Sequence, residues 1–362
     1  LMNQNLLVRL EYVWLDGYKS KNLRSKVRYE ELKVGQRGLD LRSCDSVLNS
    51  CPSWSYDGSS TEQADVNNSD ILLKPIRVYK NVIDDSDIPS YFVLCESLTV
   101  DEEPIASNTR ATLCDTINKN SNEGYWFAPE QEYFIVDRSG KPVDFDEETQ
   151  EEQGRYYCGS GRLTTGRELV EVHAKTCLKM RLSVCGTNAE VAPAQWEYQL
   201  SPSDPLTAAD DLWMSRYVLQ SLAERSGLGV DFSPKPLGSE WNGSGCHINF
   251  STKKMRKDGG KKYFSEIIDS LEKQHKEAMS IYGEGNEDRL TGDCETQHYS
   301  KFSWGVADRT ASIRVPMFTI RNDWRGYIED RRPAGNMDPY ETYAFLVNTT
   351  AKKHQLPACM DS

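Results

Sequence analysis

The first hundred residues alternate between short apolar runs and polar turn segments, a pattern typical of β-strands rather than helices. An acidic stretch that carries Pro104 then interrupts this pattern. We place a domain boundary there, with an N-terminal β domain over residues 1–103 and a larger second domain over residues 104–362. The strands predicted in the first domain are Leu7–Leu15, Ser69–Pro75 and Tyr91–Cys95.

After this boundary, several stretches carry apolar residues at spacings of three and four, which predicts amphipathic helices. Asn108 is a suitable N-cap for the first helix. The predicted helices are one through Ala111, Cys114 and Ile117, one over Arg167–Val184, one through Leu212, Leu219 and Leu222 that ends near Gly227, and one over Tyr263–Tyr282. The predicted strands between them are Tyr125–Val136, Gln195–Leu200, Cys246–Phe250, Ser312–Val315 and Gly326–Asp330. Because helices and strands do not alternate regularly, we expect an α+β fold rather than a doubly wound parallel sheet.

The chain has 362 residues and a formal net charge of −12. This acidity argues against DNA or RNA as a partner, because phosphate binding needs clustered Lys and Arg. It still permits a nucleotide, provided that divalent cations bridge carboxylates and phosphates. No apolar run could span a bilayer and no secretion signal opens the chain, so we expect no membrane association. The ten cysteines include no Cys-x-x-Cys pair, which favours reduced thiols in a cytoplasmic protein.

Four predicted strands carry polar residues two positions apart, and such residues share one strand face. An ordinary half-buried strand would have apolar residues at these positions. They are Glu130 with Glu132, Gln195 with Glu197 and Gln199, His247 with Asn249, and Tyr327 with Glu329 and Arg331. A single Glu-x-Glu is more often a solvated face, but four such strands, with Glu190 upstream of one, favour a shared site.

Like charges on one face repel each other and lose hydration, and a cation between them removes that penalty. Oxygen ligands with one imidazole favour Mg²⁺ or Mn²⁺ over zinc. His247 follows the glycine-rich run that starts at Asn242, and glycines let a backbone approach a ligand closely. We therefore include His247 among the candidate ligands. His173 and His275 fall on apolar helix faces and are predicted to be core histidines.

Arginines form a second group of candidates, since a guanidinium can hold a carboxylate or a phosphate through two hydrogen bonds. The group comprises Arg289, Arg309, Arg314, Arg331 and Arg332. Surface solubility is the usual role of arginine, but Arg314 lies inside the apparent strand Ile313–Val315, where that role is hard to sustain.

Four segments of the chain resemble signature segments of eukaryotic-type glutamine synthetases, in the order in which that family has them. The segments are Trp54–Thr61, Asn188–Gln199, Lys235–His247 and Gly326–Pro333. The resemblance extends over nearly the whole chain. It implies a β-grasp N-terminal domain followed by a glutamine synthetase/guanido-kinase-like catalytic domain with a curved antiparallel sheet and helices. It also implies a homo-oligomer, a decamer of two stacked pentameric rings with active sites between subunits.

The resemblance assigns roles position by position. One metal ion would be held by Glu132, Glu190 and Glu197, and a second by Glu130, His247 and Glu329. Glutamate and ammonium would contact Ser60, Glu190, Asn242, Gly243, Arg289, Arg309 and Arg331. The nucleotide would lie near Glu130, Glu197, Asn249, Ser251, Arg309, Arg314 and Tyr327. The catalytic residues would be Asp57, supplied with Ser60 by the neighbouring subunit, Glu295 on a flap, and Arg309.

The activity that the resemblance implies is ATP-dependent ligation of ammonia to L-glutamate through γ-glutamyl phosphate, with Mg²⁺ or Mn²⁺. Two alternatives share the fold: a ligase that joins glutamate to another amine such as a polyamine, and a non-catalytic structural relative. The presence of Asp57 and Ser60 argues against the first, and the complete set of acidic ligands argues against the second. Departures from the family's common pattern occur at Cys294, Asp308, Met317 and residues 318–324.

Overall fold

The computed structural model describes residues 4–34 and 40–351. The N-terminal part forms a five-stranded sheet in the order β2-β1-β5-β4-β3, in which β1 and β5 are parallel and the other pairs antiparallel. Its elements are β1 (Gln4–Leu15), β2 (Leu23–Val34), α1 (Cys44–Leu48), β3 (Trp54–Asp57), β4 (Asp70–Lys80) and β5 (Ser90–Leu98). Apolar residues from all five strands and α1 fill a core of their own.

The rest of the described chain builds an eight-stranded sheet with helices packed on it. Its strands are β6 (Trp126–Val136), β7 (Val184–Ala189), β8 (Gln195–Leu200), β9 (Gly229–Asp231), β10 (Cys246–Ser251), β11 (Trp304–Val306), β12 (Ile313–Val315) and β13 (Ile328–Asp330). The helices are α2 (Thr109–Lys119), α3 (Arg167–Lys179), α4 (Pro205–Arg225), α5 (Lys253–Lys257), α6 (Lys261–Lys273), α7 (His275–Ile281), α8 (Asn286–Arg289), α9 (Met317–Arg321) and α10 (Pro339–Thr350). The strand order is β11-β12-β13-β10-β6-β8-β7, with β9 beside β6.

The two faces of the large sheet differ in chemistry. Its back face is apolar and lies against α4, most of whose residues are buried. Arg216 of α4 is buried there and fully paired: its Nε donates to Gln131 Oε1 at 2.7 Å, and its other nitrogens donate to the Gly335 and Met337 carbonyls. Helices therefore support the sheet from behind and leave the opposite face free for polar residues.

An ionic network joins the two sheets. Arg110 of α2 donates to Asp210 of α4 at 2.9 Å and to Glu96 of β5 at 3.0 Å. Arg77 of β4 pairs with Asp211 at 3.1 Å. These charges are mostly buried and mutually paired, which fixes the orientation of the five-stranded sheet on the helices.

The α+β class is confirmed, and most predicted strands lie within one to five residues of their predicted ends. Asn108 caps α2 as predicted, since its Oδ1 accepts from the Ala111 N–H at 3.1 Å. His173 is confirmed as a core histidine, because it is fully buried with Nε2 at 3.0 Å from the Ser215 carbonyl. His275 is only partly buried, so it is not a core residue, although its Nε2 lies 2.9 Å from the Tyr299 carbonyl. The division of the chain at residue 103 stays a prediction.

Two predicted helices have the wrong extent. The helix predicted over Arg167–Val184 ends at Lys179, because Arg181 takes a left-handed conformation (φ +63°) and the Leu182 N–H returns to the Cys177 carbonyl. Gly186, just beyond the predicted end of this helix, lies inside β7, where a Cβ would stand 2.2 Å from Gln199 Oε1. The helix predicted over Tyr263–Tyr282 is two helices, α6 and α7, separated at Gln274.

The sequence pattern missed five strands: β2, β3, β7, β9 and β11. β2 is an edge strand in which charged residues alternate with a few apolar ones, a composition that protects an exposed edge and hides the usual strand signal. Among the described residues, no helix is both long enough and apolar enough to cross a lipid bilayer.

Candidate functional site

Polar residues from five neighbouring strands meet on the front face of the large sheet. In the strand register, Glu130 lies opposite both His247 and Gln199, while Glu132 lies opposite Glu197. One step farther across the sheet, Glu329 lies opposite Asn249 on one side and Arg314 on the other. The two-residue spacing in the sequence thus becomes a continuous polar patch, because every contributing strand turns the same face forward.

The first acidic group, which we call the Glu132 cluster, consists of Glu132, Glu190 and Glu197, whose ligand atoms lie within 4.8 Å of one another. Burial, followed by the charge of Glu132, raises the pKa of Glu190 to about 8. Burial, followed by Glu130, raises the pKa of Glu197 to about 9. Hydrogen bonds hold the group in place: Gly245 N–H donates to Glu132 Oε2 at 2.5 Å, and Asn188 Nδ2 donates to Glu190 Oε1 at 3.0 Å.

The second group, the Glu130 cluster, consists of Glu130, His247 and Glu329. His247 Nδ1 lies 3.7 Å from Glu130 Oε2 and 3.4 Å from Glu329 Oε1. Burial, with a smaller contribution from the Arg331 charge, lowers the pKa of His247 to about 4 and keeps the imidazole neutral. Glu329 accepts from Arg314 at 2.8 Å and from Arg331 at 2.7 Å.

Both groups have the donors that a hard divalent cation prefers. The Glu132 cluster offers three carboxylates that are too close and too buried to stay ionised together without a compensating charge. The Glu130 cluster offers two carboxylates and a neutral imidazole. Oxygen-rich sets of this kind suit Mg²⁺ or Mn²⁺. Among the described residues, neither cluster includes a cysteine, the ligand that would favour zinc.

Arg289 is fully buried directly behind His247. Its Nη2 donates to His247 Nε2 at 3.2 Å and to the Arg331 carbonyl at 3.0 Å, and its burial lowers its pKa to about 10. Gly245 makes this packing possible, since a Cβ there would stand 2.5 Å from Arg289 Nη2 and 2.8 Å from His247 Nε2. The packing of Arg289 against His247 therefore requires glycine at position 245. This requirement differs from the predicted one, which was the close approach of the backbone to a ligand.

Of the other residues predicted to contact the amino acid, Arg309 lies close enough to interact with Glu190 of the Glu132 cluster, and Arg331 is bonded to Glu329 of the Glu130 cluster. A Cβ at Gly243 would stand 2.0 Å from the Pro234 carbonyl, so this position also admits only glycine. Asn242 N–H donates to Gln153 Oε1 at 2.5 Å, and its buried Oδ1 has no partner. Arg309 is exposed, and its backbone carbonyl accepts a hydrogen bond from Arg331 Nε at 3.1 Å. Its guanidinium forms a hydrogen bond with the hydroxyl of Tyr157, a residue that was not predicted from the sequence.

Glu295 lies exposed in the loop between α8 and β11, where Cys294 and Glu295 both have left-handed backbones (φ +52° and +60°). Its charge is close enough to contribute to the raised pKa of Glu190. The predicted flap residue is therefore on a strained surface loop beside the Glu132 cluster.

Asp57 and Ser60 lie away from these clusters, at the end of edge strand β3 in the small sheet. Asp57 accepts from Ser59 N–H at 2.9 Å and from Ser60 Oγ at 3.1 Å. These hydrogen bonds, those from Ser59 being the strongest, lower the pKa of the Asp57 carboxyl and keep it ionised. An exposed, anionic side chain in this place is available to another molecule.

A cavity of about 480 Å³ adjoins the Glu130 cluster, and we call it the strand-end cavity. Four of the residues predicted near the nucleotide line it: Glu130, Asn249, Ser251 and Tyr327. The predicted Arg314 does not line it but is bonded to Glu329 of the cluster, and Glu197 lies in the other cluster.

Other residues that line the strand-end cavity were missed from the sequence, among them Trp126, Arg256, Phe318, Asn322 and Arg325. Trp126 carried a usable signal, because it continues the two-residue spacing of Glu130 and Glu132 on β6. Its ring lies 3.9 Å from the Arg256 guanidinium, which also bonds Ser251 Oγ at 2.9 Å. The remaining residues come from distant segments that only the fold brings together.

Comparison with known proteins agrees with this geometry. The family profile described as glutamine synthetase, catalytic domain, matches residues 106–283. Glutamine synthetase 1, mitochondrial, of Drosophila melanogaster is 43% identical over 94% of this chain and 84% of its own length. A glutamine synthetase of Suillus bovinus is 42% identical over 96% and 95% of the two chains. The solved Plasmodium falciparum glutamine synthetase superposes with a TM-score of 0.75 at 18% identity, over 95% of this chain and 71% of that one, which supports the fold. The chain belongs to the glutamine synthetase family.

Proposed function

We propose that the protein is a glutamate–ammonia ligase, which uses ATP to join ammonia to L-glutamate through γ-glutamyl phosphate and releases glutamine, ADP and phosphate. The observation that carries the proposal is the pair of acidic clusters side by side on one sheet face, one of them adjoining a cavity large enough for a nucleotide base. The high identity to proteins named glutamine synthetase over almost the whole chain supports it.

The Glu130 cluster would hold one divalent cation and the Glu132 cluster another, Mg²⁺ or Mn²⁺ in each case. When bound, such ions neutralise charge on phosphate oxygens and on the transferred phosphoryl group. The nucleotide would lie in the strand-end cavity, with its triphosphate toward the Glu130 cluster. The surrounding polar residues Asn249, Ser251, Arg314 and Tyr327 would orient it, and Glu197 and Arg309 would reach its phosphate end.

Glutamate would bind beside the Glu132 cluster. Its carboxylate is a poor acceptor for ammonia, because the carbon is electron-rich and oxide is no leaving group. Phosphorylation replaces that group with phosphate, and positioned cationic side chains lower the cost of the charge that develops. Arg309 and Arg331 would take this role, and Arg289 would join them by releasing its hydrogen bonds to His247 and the Arg331 carbonyl, with Asn242, Gly243 and Glu190 around the amino-acid backbone.

Ammonium must lose a proton before it attacks, which requires an anionic acceptor at its binding place. Asp57, ionised and exposed, would take that proton, with Ser60 beside it, and both would come from a neighbouring subunit. Glu295 would close over the acyl phosphate so that ammonia reaches it before water does.

This assignment requires a homo-oligomer with shared active sites, and we propose the decamer of two stacked pentameric rings. We also propose a division into a β-grasp domain over residues 1–103 and a catalytic domain over 104–362. The cysteines among the described residues are all unpaired, which supports a reducing compartment, and we propose the cytoplasm.

The deciding experiment measures phosphate release from ATP and glutamate by the purified protein with Mg²⁺, in the presence and absence of ammonium. We expect release that depends on ammonium and matches glutamine formed one to one. Release that depends on a polyamine instead would identify an amine ligase of the same fold. If the protein neither formed a product from glutamate and ATP nor bound nucleotide, it would be a non-catalytic structural member of the family.

A further inference from the structure

The strand-end cavity has two walls of different origin. One wall consists of sheet residues from β6, β7, β8 and β10, including Trp126 at the start of β6. The other consists of α9 and the turn that follows it, which contribute Phe318, Asn322, Arg325 and Tyr327. Glu130 belongs both to the cavity and to the Glu130 cluster, so one end of the cavity is anionic while much of the remainder is carbon.

Phe318 is the most exposed aromatic residue of this cavity. Its side chain is 62% exposed and Trp126 is 48% exposed, although each could bury a large apolar area. Apolar surface gains free energy when it leaves water, so two exposed aromatic rings on one cavity favour a flat, apolar occupant. Arg256 already covers one face of Trp126.

The segment that presents Phe318 is held firmly. The next residue, Thr319, is fully buried, and its Oγ1 donates to the Tyr327 carbonyl at 2.9 Å and accepts from the Tyr327 N–H at 3.2 Å. Trp324 packs edge-on against Phe264 with ring centres 5.7 Å apart, and its carbonyl accepts from Gly260. An aromatic ring on so fixed a turn costs little further entropy when a ligand covers it.

We propose that Phe318 is a base-contacting residue of the nucleotide site, one that stacks on or against the heteroaromatic base of the nucleoside triphosphate and sets its position. This inference rests on the proposed function and adds a specific residue to it. The base would occupy the apolar part of the cavity between the Trp126 wall and the α9 wall. The triphosphate would then extend toward the anionic end, where Glu130 and His247 offer ligands for the accompanying cation.

The inference is tested with two ligands that share phosphates but differ in the base. Binding of Mg²⁺ with a non-hydrolysable ATP analogue, and of Mg²⁺ with inorganic tripolyphosphate, is measured by calorimetry for the wild type, Phe318→Ala and Phe318→Tyr. Met317→Ala is the matched control, since Met317 is 41% exposed on the same turn but does not line the cavity. Steady-state KM values for ATP and glutamate are measured alongside.

We expect Phe318→Ala to weaken the ATP analogue about tenfold and to leave tripolyphosphate unchanged, because stacking acts on the base alone. Phe318→Tyr should restore most of the affinity, Met317→Ala should behave as wild type, and the KM for glutamate should stay constant. Equal analogue affinity in wild type and Phe318→Ala would overturn the inference, as would equal loss for both ligands. Dissociation of the oligomer without a change in affinity would also overturn it, and would identify a neighbouring subunit as the cover of Phe318. Failure of the wild type itself to bind the analogue would instead refute the proposed function.

Discussion

Glu130 and Glu132 lie two residues apart on one face of β6, yet each belongs to a different acidic cluster. The register explains this, because Glu130 faces His247 on one neighbouring strand while Glu132 faces Glu197 on the other. Residues two apart on a strand lie roughly 6.6 Å from each other. This distance is large enough for two separate ligand sets and small enough for both sets to contact one substrate. A single strand thereby contributes to both proposed cation sites.

Replacing Glu132 by Ala should reduce Mg²⁺-dependent glutamine formation by about 10²- to 10³-fold, because the cluster loses a buried anionic ligand. Glutamine is measured at saturating ATP, and Mn²⁺ binding is measured in parallel by electron paramagnetic resonance. Glu168→Ala, an exposed carboxylate on α3, is the control and should retain full activity. Unchanged turnover and unchanged Mn²⁺ binding in Glu132→Ala would exclude the metal assignment.

A divalent cation should stabilise the folded protein, because it binds carboxylates that crowd one another only in the folded state. At a free concentration one hundred times its dissociation constant, the expected gain is about 2.7 kcal/mol, seen as a higher Tm in calorimetry. Near neutral pH, Glu197→Gln should raise the stability of the metal-free protein, because folding must otherwise protonate a carboxyl whose pKa burial raises from 4.5 to about 9. The same change removes a ligand and should diminish the gain from Mg²⁺. A Tm independent of Mg²⁺ in the wild type would count against both cation sites.

Gly245→Ala should lose activity beyond its effect on stability. The new Cβ would stand 2.5 Å from Arg289 Nη2 and 2.8 Å from His247 Nε2, so both side chains must shift. The expected destabilisation is about 1–3 kcal/mol. Gly140→Ala is the control, because its Cβ would meet no atom within 4 Å although its φ of +86° makes alanine strained. The control should lose a comparable free energy of unfolding in urea and keep its turnover. If Gly245→Ala were as active as this control, the packing around His247 would tolerate an extra methyl group and the prediction would be wrong.

Mixing two impaired variants tests whether active sites are shared between subunits. Asp57→Ala should raise the KM for ammonium and lower kcat, with the KM for ATP unchanged, and Glu132→Ala should be inactive. If Asp57 acts on the neighbouring subunit, random co-assembly of equal amounts should restore about a quarter of the wild-type sites. Co-expressed and co-purified oligomers are assayed for glutamine formation, with simply combined, non-exchanging variants as the control. No recovery in the mixed oligomers would place Asp57 in its own subunit's site or outside catalysis.

Stability should decline at acid pH partly through His173. Burial lowers its pKa from 6.5 to about 4, so the unfolded chain binds a proton that the folded chain refuses as pH falls through this window. The neutral residue contributes its full stability above pH 6.5, and protonation of the unfolded state removes about 3 kcal/mol by pH 4. His173→Gln should flatten the pH dependence of urea unfolding between these values, and His298→Gln, on the surface, should not. Parallel curves for wild type and His173→Gln would contradict the buried-histidine account.

Local pattern accounts well for some elements and poorly for others. The strand over Gln195–Leu200 and the Asn108 cap of α2 follow directly from residue spacing and capping chemistry, which act over a few residues. β2 escaped because an edge strand faces water and needs no apolar stripe, and the break at Gln274 left the apolar stripe of α6 and α7 uninterrupted. Neither β2 nor the break between α6 and α7 was predicted, because both depend on contacts beyond the local sequence.

The candidate site divides in the same way. Which residues could serve was readable from the sequence, since polar residues at two-residue spacing recur on four predicted strands, where a single such pair would more often be a solvated face. The family resemblance predicted their grouping into two ligand sets, and the fold supplies the cause, because the pairing of β6 with β8 and with β10 places Glu132 beside Glu197 and Glu130 beside His247. Only the tertiary structure brought Phe318 and Arg256 to the strand-end cavity. Alternation along a strand fixes the face on which a side chain lies, while register across strands fixes its neighbours.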